Sequence, residues 1–69
     1  MATVKQVVRE NDFVELLHPV GSWSAGARGT VVEERDGHKL VEISDDQGQM
    51  LDLVSVTDAQ LRLISKHSD

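Results

Sequence analysis

The chain has 69 residues, 39% of them hydrophobic, and it contains no cysteine. Seven basic residues against twelve acidic ones give a net charge of −5 at pH 7, which repels nucleic-acid phosphates and anionic membranes. Because there is no cysteine, disulfides and thiolate metal sites are excluded. The length predicts a single small domain near the lower size limit for independent folding.

The N-terminal sequence Met-Ala-Thr-Val-Lys-Gln lacks the apolar core of a signal peptide, and no apolar run approaches the length of a membrane span. Together with the absence of cysteine, this predicts a cytoplasmic protein with no membrane contact. Because the core of so short a chain is small, association with a second copy or with another protein would add stability.

Residues 1–11 are predicted to form a lead-in to the domain. Val4, Val7 and Val8 have helical spacing but β-branched side chains, so a helical turn and an extended segment both remain open. A first strand is predicted over residues 13–17, where the side chains alternate between two faces. One face carries Val14 and Leu16, and the other carries Phe13, Glu15 and Leu17.

Pro19 ends this strand, because proline cannot donate to a ladder, and residues 18–26 form a long predicted loop. The segment that follows is Gly26-Ala27-Arg28-Gly29-Thr30-Val31-Val32-Glu33-Glu34. Its glycines permit positive φ and close backbone approach, and its β-branched residues favour an extended chain. We expect a second strand over residues 30–34 that bends sharply enough to close a small barrel.

Two turn signals predict the next strands. Asp36-Gly37 favours a tight hairpin into a third strand at residues 39–44, with Val41 and Ile43 on one face. Asp45-Asp46-Gln47-Gly48 favours a longer hairpin into a fourth strand at residues 49–54. In that fourth strand Leu51 and Leu53 are expected to face inward, with Asp52 between them pointing to water.

Thr57 and Gln60 have the spacing of a capping box, which predicts one helical turn before a last strand at residues 61–64. The predicted fold is all-β: a small five-stranded SH3-like barrel with a single helical turn before the last strand. Residues 12–64 form the barrel, residues 1–11 the lead-in, and residues 65–69 a flexible tail.

Several short segments resemble a family of small bacterial domains of unknown function with "D-V-V-x-L", "G-x-x-G-T-V-V-E", "V-E-F" and "Q-L-R" motifs. The matching segments are Asp12-Phe13-Val14-Glu15-Leu16-Leu17, Gly26 to Glu33, Val41-Glu42-Ile43, Asp46-Gln47-Gly48 and Gln60-Leu61-Arg62. The resemblance, over roughly residues 12–64, implies an SH3-like barrel without assigned catalytic residues. The chain is also similar, more weakly, to KOW elements and to SH3-like accessory subunits of photosystem I.

The sequence offers few groups for catalysis. It has no cysteine, no tyrosine, no Gly-x-Ser-x-Gly motif and no glycine loop followed by lysine. His18, His38 and His67 are widely spaced, and exposed histidines explain them better than a metal site does. Asp45-Asp46 with Gln47-Gly48 resembles half of a calcium loop, but the glutamate that would complete the loop is missing. Turn formation explains these carboxylates better. We predict a non-enzymatic protein with no cofactor, no metal and no small-molecule substrate.

Trp23 is the only tryptophan, and it stands in a polar loop between Ser22 and Ser24. It either folds back to plug the barrel or is presented to a partner as an aromatic anchor. The predicted function is protein–protein interaction, with a protein partner or in a homo-oligomer. The predicted contact residues are Trp23, His18, Arg28, Phe13 and Leu17.

Two alternatives remain open. KOW-type nucleic-acid binding would need a localised patch of Arg28, Arg35 and Lys39, and the acidic net charge argues against it. An immunity or antitoxin-like role would instead use the acidic face of the chain to block a basic partner.

Overall fold

The computed structural model describes residues 8–66, and it forms them into five antiparallel strands in one sheet. In chain order the strands are β1 (Phe13–Leu16), β2 (Arg28–Arg35), β3 (His38–Ser44), β4 (Met50–Val56) and β5 (Leu61–Ser65). A 3-10 turn, Asp58–Gln60, precedes β5. The predicted all-β class, the five strands and the helical turn before the last one are confirmed.

The strand order across the sheet is β4-β3-β2-β1-β5. β4 and β5 are therefore the two edges, and within residues 8–66 no ladder joins them. The sheet is open by its hydrogen bonding, so the barrel closure expected from the glycine-rich segment stays a prediction.

The hydrophobic core lies on one face of the sheet and follows the alternation of the strands. Val14 and Leu16 are buried, as are Val41 and Ile43, which confirms their predicted faces. In the described part of the chain, eight side chains, each at most 2% exposed, form this core: Val8, Val14, Leu16, Val31, Val41, Ile43, Val56 and Leu61.

The predicted orientation of β4 is wrong. Leu51 and Leu53 are 50% and 46% exposed, whereas Val56 is buried and Val54 packs against the core. β4 extends to Val56, and Val54 and Val56, two positions apart, share a face. Leu51 and Leu53 alternate with them and therefore lie on the outer face. The packing of these two valines against the core places the leucines on the exposed face.

The glycines act as predicted at the turns and at one close contact. Gly37 and Gly48 adopt φ of 77° and 81° in the two hairpins, a conformation that other residues resist. Gly29 is buried in β2, where a Cβ atom would lie 2.9 Å from the carbonyl carbon of Glu42. Only glycine therefore allows β2 and β3 to approach this closely.

Residues near both ends of the described chain pack or pair with the sheet. Val8, in the predicted lead-in, lies in the core, and β5 extends to Ser65, one residue beyond the predicted last strand. Lys66 Nζ donates to Asp12 Oδ2 at 2.9 Å. The predicted helical spacing at Val4 and Val7 and the tail residues 67–69 lie outside the described residues.

Candidate functional site

Trp23 joins the first loop to the sheet. Its backbone N–H and C=O form a pair of 2.9 Å hydrogen bonds with Val20, which folds the loop into a tight bridge. Its half-buried indole packs against the core, and its Nε1 donates to Oδ2 of Asp52 on β4 at 2.8 Å. This geometry favours the structural interpretation of Trp23, because its ring and its only donor are already engaged.

Asp52, the acceptor of that bond, was predicted to point to water, and it is exposed, although the indole occupies its carboxylate. It pairs with Ile43 and lies on the same side of β4 as Val54 and Val56. The Trp23 indole N–H and the Leu53 backbone N–H hold the pKa of the Asp52 carboxyl below its ordinary value of 3.8. Partial desolvation opposes this shift.

A cleft of about 420 Å³ lies beside Trp23. Arg28 from β2 and Asp46 from the β3–β4 turn place opposite charges in its lining. The other lining residues are Gly26, Ala27, Ile43 and Ser44. The cleft is therefore formed where the first loop passes the beginning of β2 and the end of β3.

The structure brings together only two of the five predicted contact residues. Trp23 and Arg28 line the same cleft. Phe13 is half-buried on the face of β1 opposite the core residues, and Leu17, just after β1, is 43% exposed. His18 is exposed in the first loop.

The basic side chains of β2 and β5 are occupied by carboxylates. Glu15 accepts from Arg62 Nε at 3.0 Å and from Arg28 Nε at 3.5 Å. The hydrogen bond from Arg62 is the main reason that the pKa of Glu15 is lowered from 4.5, and partial desolvation acts against it. This cluster positions the ends of three strands relative to one another.

The patch that KOW-type binding would need is likewise neutralised. Besides the Arg28–Glu15 contact, Arg35 Nε lies 2.8 Å from Glu33 Oε2, and Lys39 Nζ lies 2.7 Å from Asp58 Oδ1. Each of the three cations thus has a carboxylate beside it, which reduces its attraction for phosphate.

Comparisons with protein-family models, with curated proteins and with solved structures found no match to this chain. The motif resemblance to small bacterial SH3-like domains therefore remains a prediction.

The sequence interpretation missed an exposed apolar row on β4. Met50, Leu51 and Leu53 are 53%, 50% and 46% exposed. A shift in the β3–β4 register contributes, because Ile43 pairs with Asp52 and Ser44 pairs with Met50, which leaves Leu51 without a direct partner. The signal available in the sequence was Val54-Ser55-Val56, whose two valines compete with the leucines for the core face.

Across residues 8–66, no three histidine, aspartate or glutamate side chains lie close enough to hold a metal ion together. In the same part of the chain, no helix has the length and apolar character needed to cross a membrane.

Proposed function

We propose that this chain is a non-enzymatic protein-interaction domain built on an SH3-like barrel. The observation that carries the proposal is the poor coverage of its apolar surface. Among residues 8–66, five large hydrophobic side chains are more than 40% exposed: Leu17, Val32, Met50, Leu51 and Leu53. In a domain whose core has eight side chains, burying such residues against a partner adds stability as well as affinity.

The strand order and two hydrogen bonds from the first loop support the barrel architecture. The strand order β4-β3-β2-β1-β5 places the first and last strands side by side. The Trp23–Asp52 bond ties the first loop to β4, and the Leu17 N–H donates to the Gln60 carbonyl at 2.8 Å. These contacts tie β4 and the turn before β5 to the same loop, as in a partly open barrel in which β4 and β5 do not pair within residues 8–66.

A pull-down with matched baits tests the function. The wild-type chain is compared with a first-loop variant, Leu17→Ser with His18→Ala, and with a β4 variant, Leu51→Ser with Leu53→Ser. All four substituted positions are exposed, so each bait should keep its circular-dichroism spectrum.

We expect the wild-type bait to retain a defined protein from the source organism, and one of the two variants to lose it. An unrelated acidic domain of equal size serves as the control bait. If it recovers the same proteins, so that none is specific to this chain, the proposed function is overturned.

A further inference from the structure

The unpaired side of β4 is an available edge. β4 pairs with β3 along one side, and no strand within residues 8–66 pairs with its other side. Its seven residues span about 24 Å at the rise of an antiparallel strand. One donor is used internally, because the Leu53 N–H donates to Asp52 Oδ1 at 2.8 Å. The remaining peptide groups on this side can pair with an added strand.

Few features protect this edge from such pairing. Natural edge strands commonly carry lysine or proline, and β4, with the sequence Met-Leu-Asp-Leu-Val-Ser-Val, has neither. Asp52 is its only charged residue, and the Trp23 indole already binds that carboxylate. The register shift at Leu51 is the only other interruption. β4 thus combines open backbone groups with exposed leucines.

The charge around β4 indicates what kind of partner fits. The β3–β4 hairpin, taken together with the start of the turn that follows it as residues 38–58, carries −4 of the net −5. It contains one basic residue, Lys39, and five acidic ones, Glu42, Asp45, Asp46, Asp52 and Asp58. Lys39 pairs with Asp58. Within residues 8–66 no basic side chain forms an ion pair with the other four carboxylates.

This charge argues against a second copy as the occupant. Pairing β4 with β4 of another copy would bring two hairpins of charge −4 together, which like-charge repulsion opposes. A basic segment would instead gain from the same field. Glu42 lies directly opposite Leu53 in the β3–β4 register, so apolar and acidic groups stand side by side on the outer face.

We propose that β4 binds an extended polypeptide segment in which apolar residues alternate with lysine or arginine, and that this segment adds to the sheet as a further strand. Its apolar side chains pack on Leu51 and Leu53 on the outer face. Its basic side chains alternate to the opposite face and extend toward Asp52 and the Asp45-Asp46 turn. This inference rests on the proposed function, since it names the partner class of a protein-interaction domain.

Fluorescence anisotropy with a labelled nine-residue peptide of alternating lysine and valine tests the inference. We expect a dissociation constant on the order of 50 µM, because one strand edge buries less than the roughly 800 Å² per partner of a stable interface. An alternating glutamate–valine peptide should not bind. Raising the salt concentration from 0.05 to 0.5 M should weaken binding about tenfold, since the carboxylates are exposed.

Matched variants locate the site. Leu53→Lys should weaken peptide binding about fivefold or more, whereas Val32→Lys, at a similarly exposed apolar residue of β2, should leave it unchanged. Asp46→Lys in the β3–β4 turn should weaken binding about threefold, and Asp36→Lys, the same charge change in the β2–β3 turn, should have less effect. Circular dichroism and Trp23 emission establish that each variant is folded.

Three results would overturn the inference. The first is equal weakening by Val32→Lys and Leu53→Lys. The second is no binding of the basic peptide by the folded wild-type chain, and the third is a wild-type dimer in sedimentation that Leu53→Lys dissociates. If the basic peptide fails while the pull-down partner is lost only from the first-loop variant, the proposed function stands and the β4 site does not.

Discussion

The β5–β1–β2 part of the sheet and the β3–β4 hairpin differ in how far their charged side chains form ion pairs. In the first part, Glu15 is shared by Arg28 and Arg62, and Asp12 is bound by Lys66. In the hairpin, residues 38–58 hold −4 of the net −5, with a single internal ion pair. The net charge of the chain is therefore not spread evenly, and the unbalanced part is also the one with the exposed apolar edge.

Under the proposed function, this difference assigns stabilisation to one part of the sheet and recognition to the other. Paired charges on β1, β2 and β5 are already satisfied by one another, so they gain little from a partner. Unpaired carboxylates beside exposed leucines leave both Coulombic and hydrophobic free energy for binding. The two parts are joined by the β2–β3 ladder and by the Trp23–Asp52 bond.

The largest effect is expected from breaking the ladder between the two parts. In Gly29→Ala, the new methyl group would meet the Glu42 backbone and approach Cγ1 of Val41 at 2.9 Å, so β2 and β3 must separate. We expect the free energy of unfolding to fall by about 3 kcal/mol, as for an overpacked core. Urea denaturation followed by circular dichroism measures this loss.

Gly48→Ala is the matched control for that prediction. Gly48 has φ of 81° and no atom within 4 Å of the added Cβ, so only backbone strain is introduced. The expected loss is about 1 kcal/mol. If the two alanine variants were equally stable, close approach of β2 and β3 would not be the role of Gly29.

A smaller effect is expected at the second junction. Trp23→Ala removes a half-buried indole from the core and its bond to Asp52, and it should lower the free energy of unfolding by about 2 kcal/mol. Trp23→Phe keeps most of the packing and loses only the hydrogen bond, so its loss should be smaller. Thermal unfolding of both variants measures the difference. A fully stable Trp23→Ala would show that the indole is not part of the fold.

The smallest effect concerns the protonation of Asp52. Because its pKa is lowered in the folded chain, the carboxylate contributes stability above its ordinary value of 3.8, and this contribution is lost as the pH falls through the lower folded value. Emission from Trp23, the only tryptophan, should change in that acid range.

Asp52→Asn is the control for this titration, because the amide oxygen can still accept from the indole but does not ionise. Its emission should lack the transition that the wild-type chain shows below pH 3.8. A wild-type transition centred above that pH, or the same transition in Asp52→Asn, would contradict the assignment.

Local chemistry made most of the fold predictable. Asp36-Gly37 and Asp45-Asp46-Gln47-Gly48 specify their hairpins, because a glycine supplies positive φ in each. Gln60 accepts from the Thr57 N–H at 2.8 Å, as the capping-box spacing predicted. The candidate site was less predictable, because Leu51 and Leu53 satisfy an inward-facing pattern as well as Val54 and Val56 do.

The sequence alone determined the all-β class, the turns and the faces of β1 and β3, since these follow from residue-by-residue backbone preferences and period-two alternation. Only the tertiary structure decided which face of β4 points inward, because the register against β3 places Val54 opposite Val41 and Asp52 opposite Ile43. The partner of the Trp23 indole was decided in the same way, since that bond joins residues 29 positions apart. No local preference encodes such a contact.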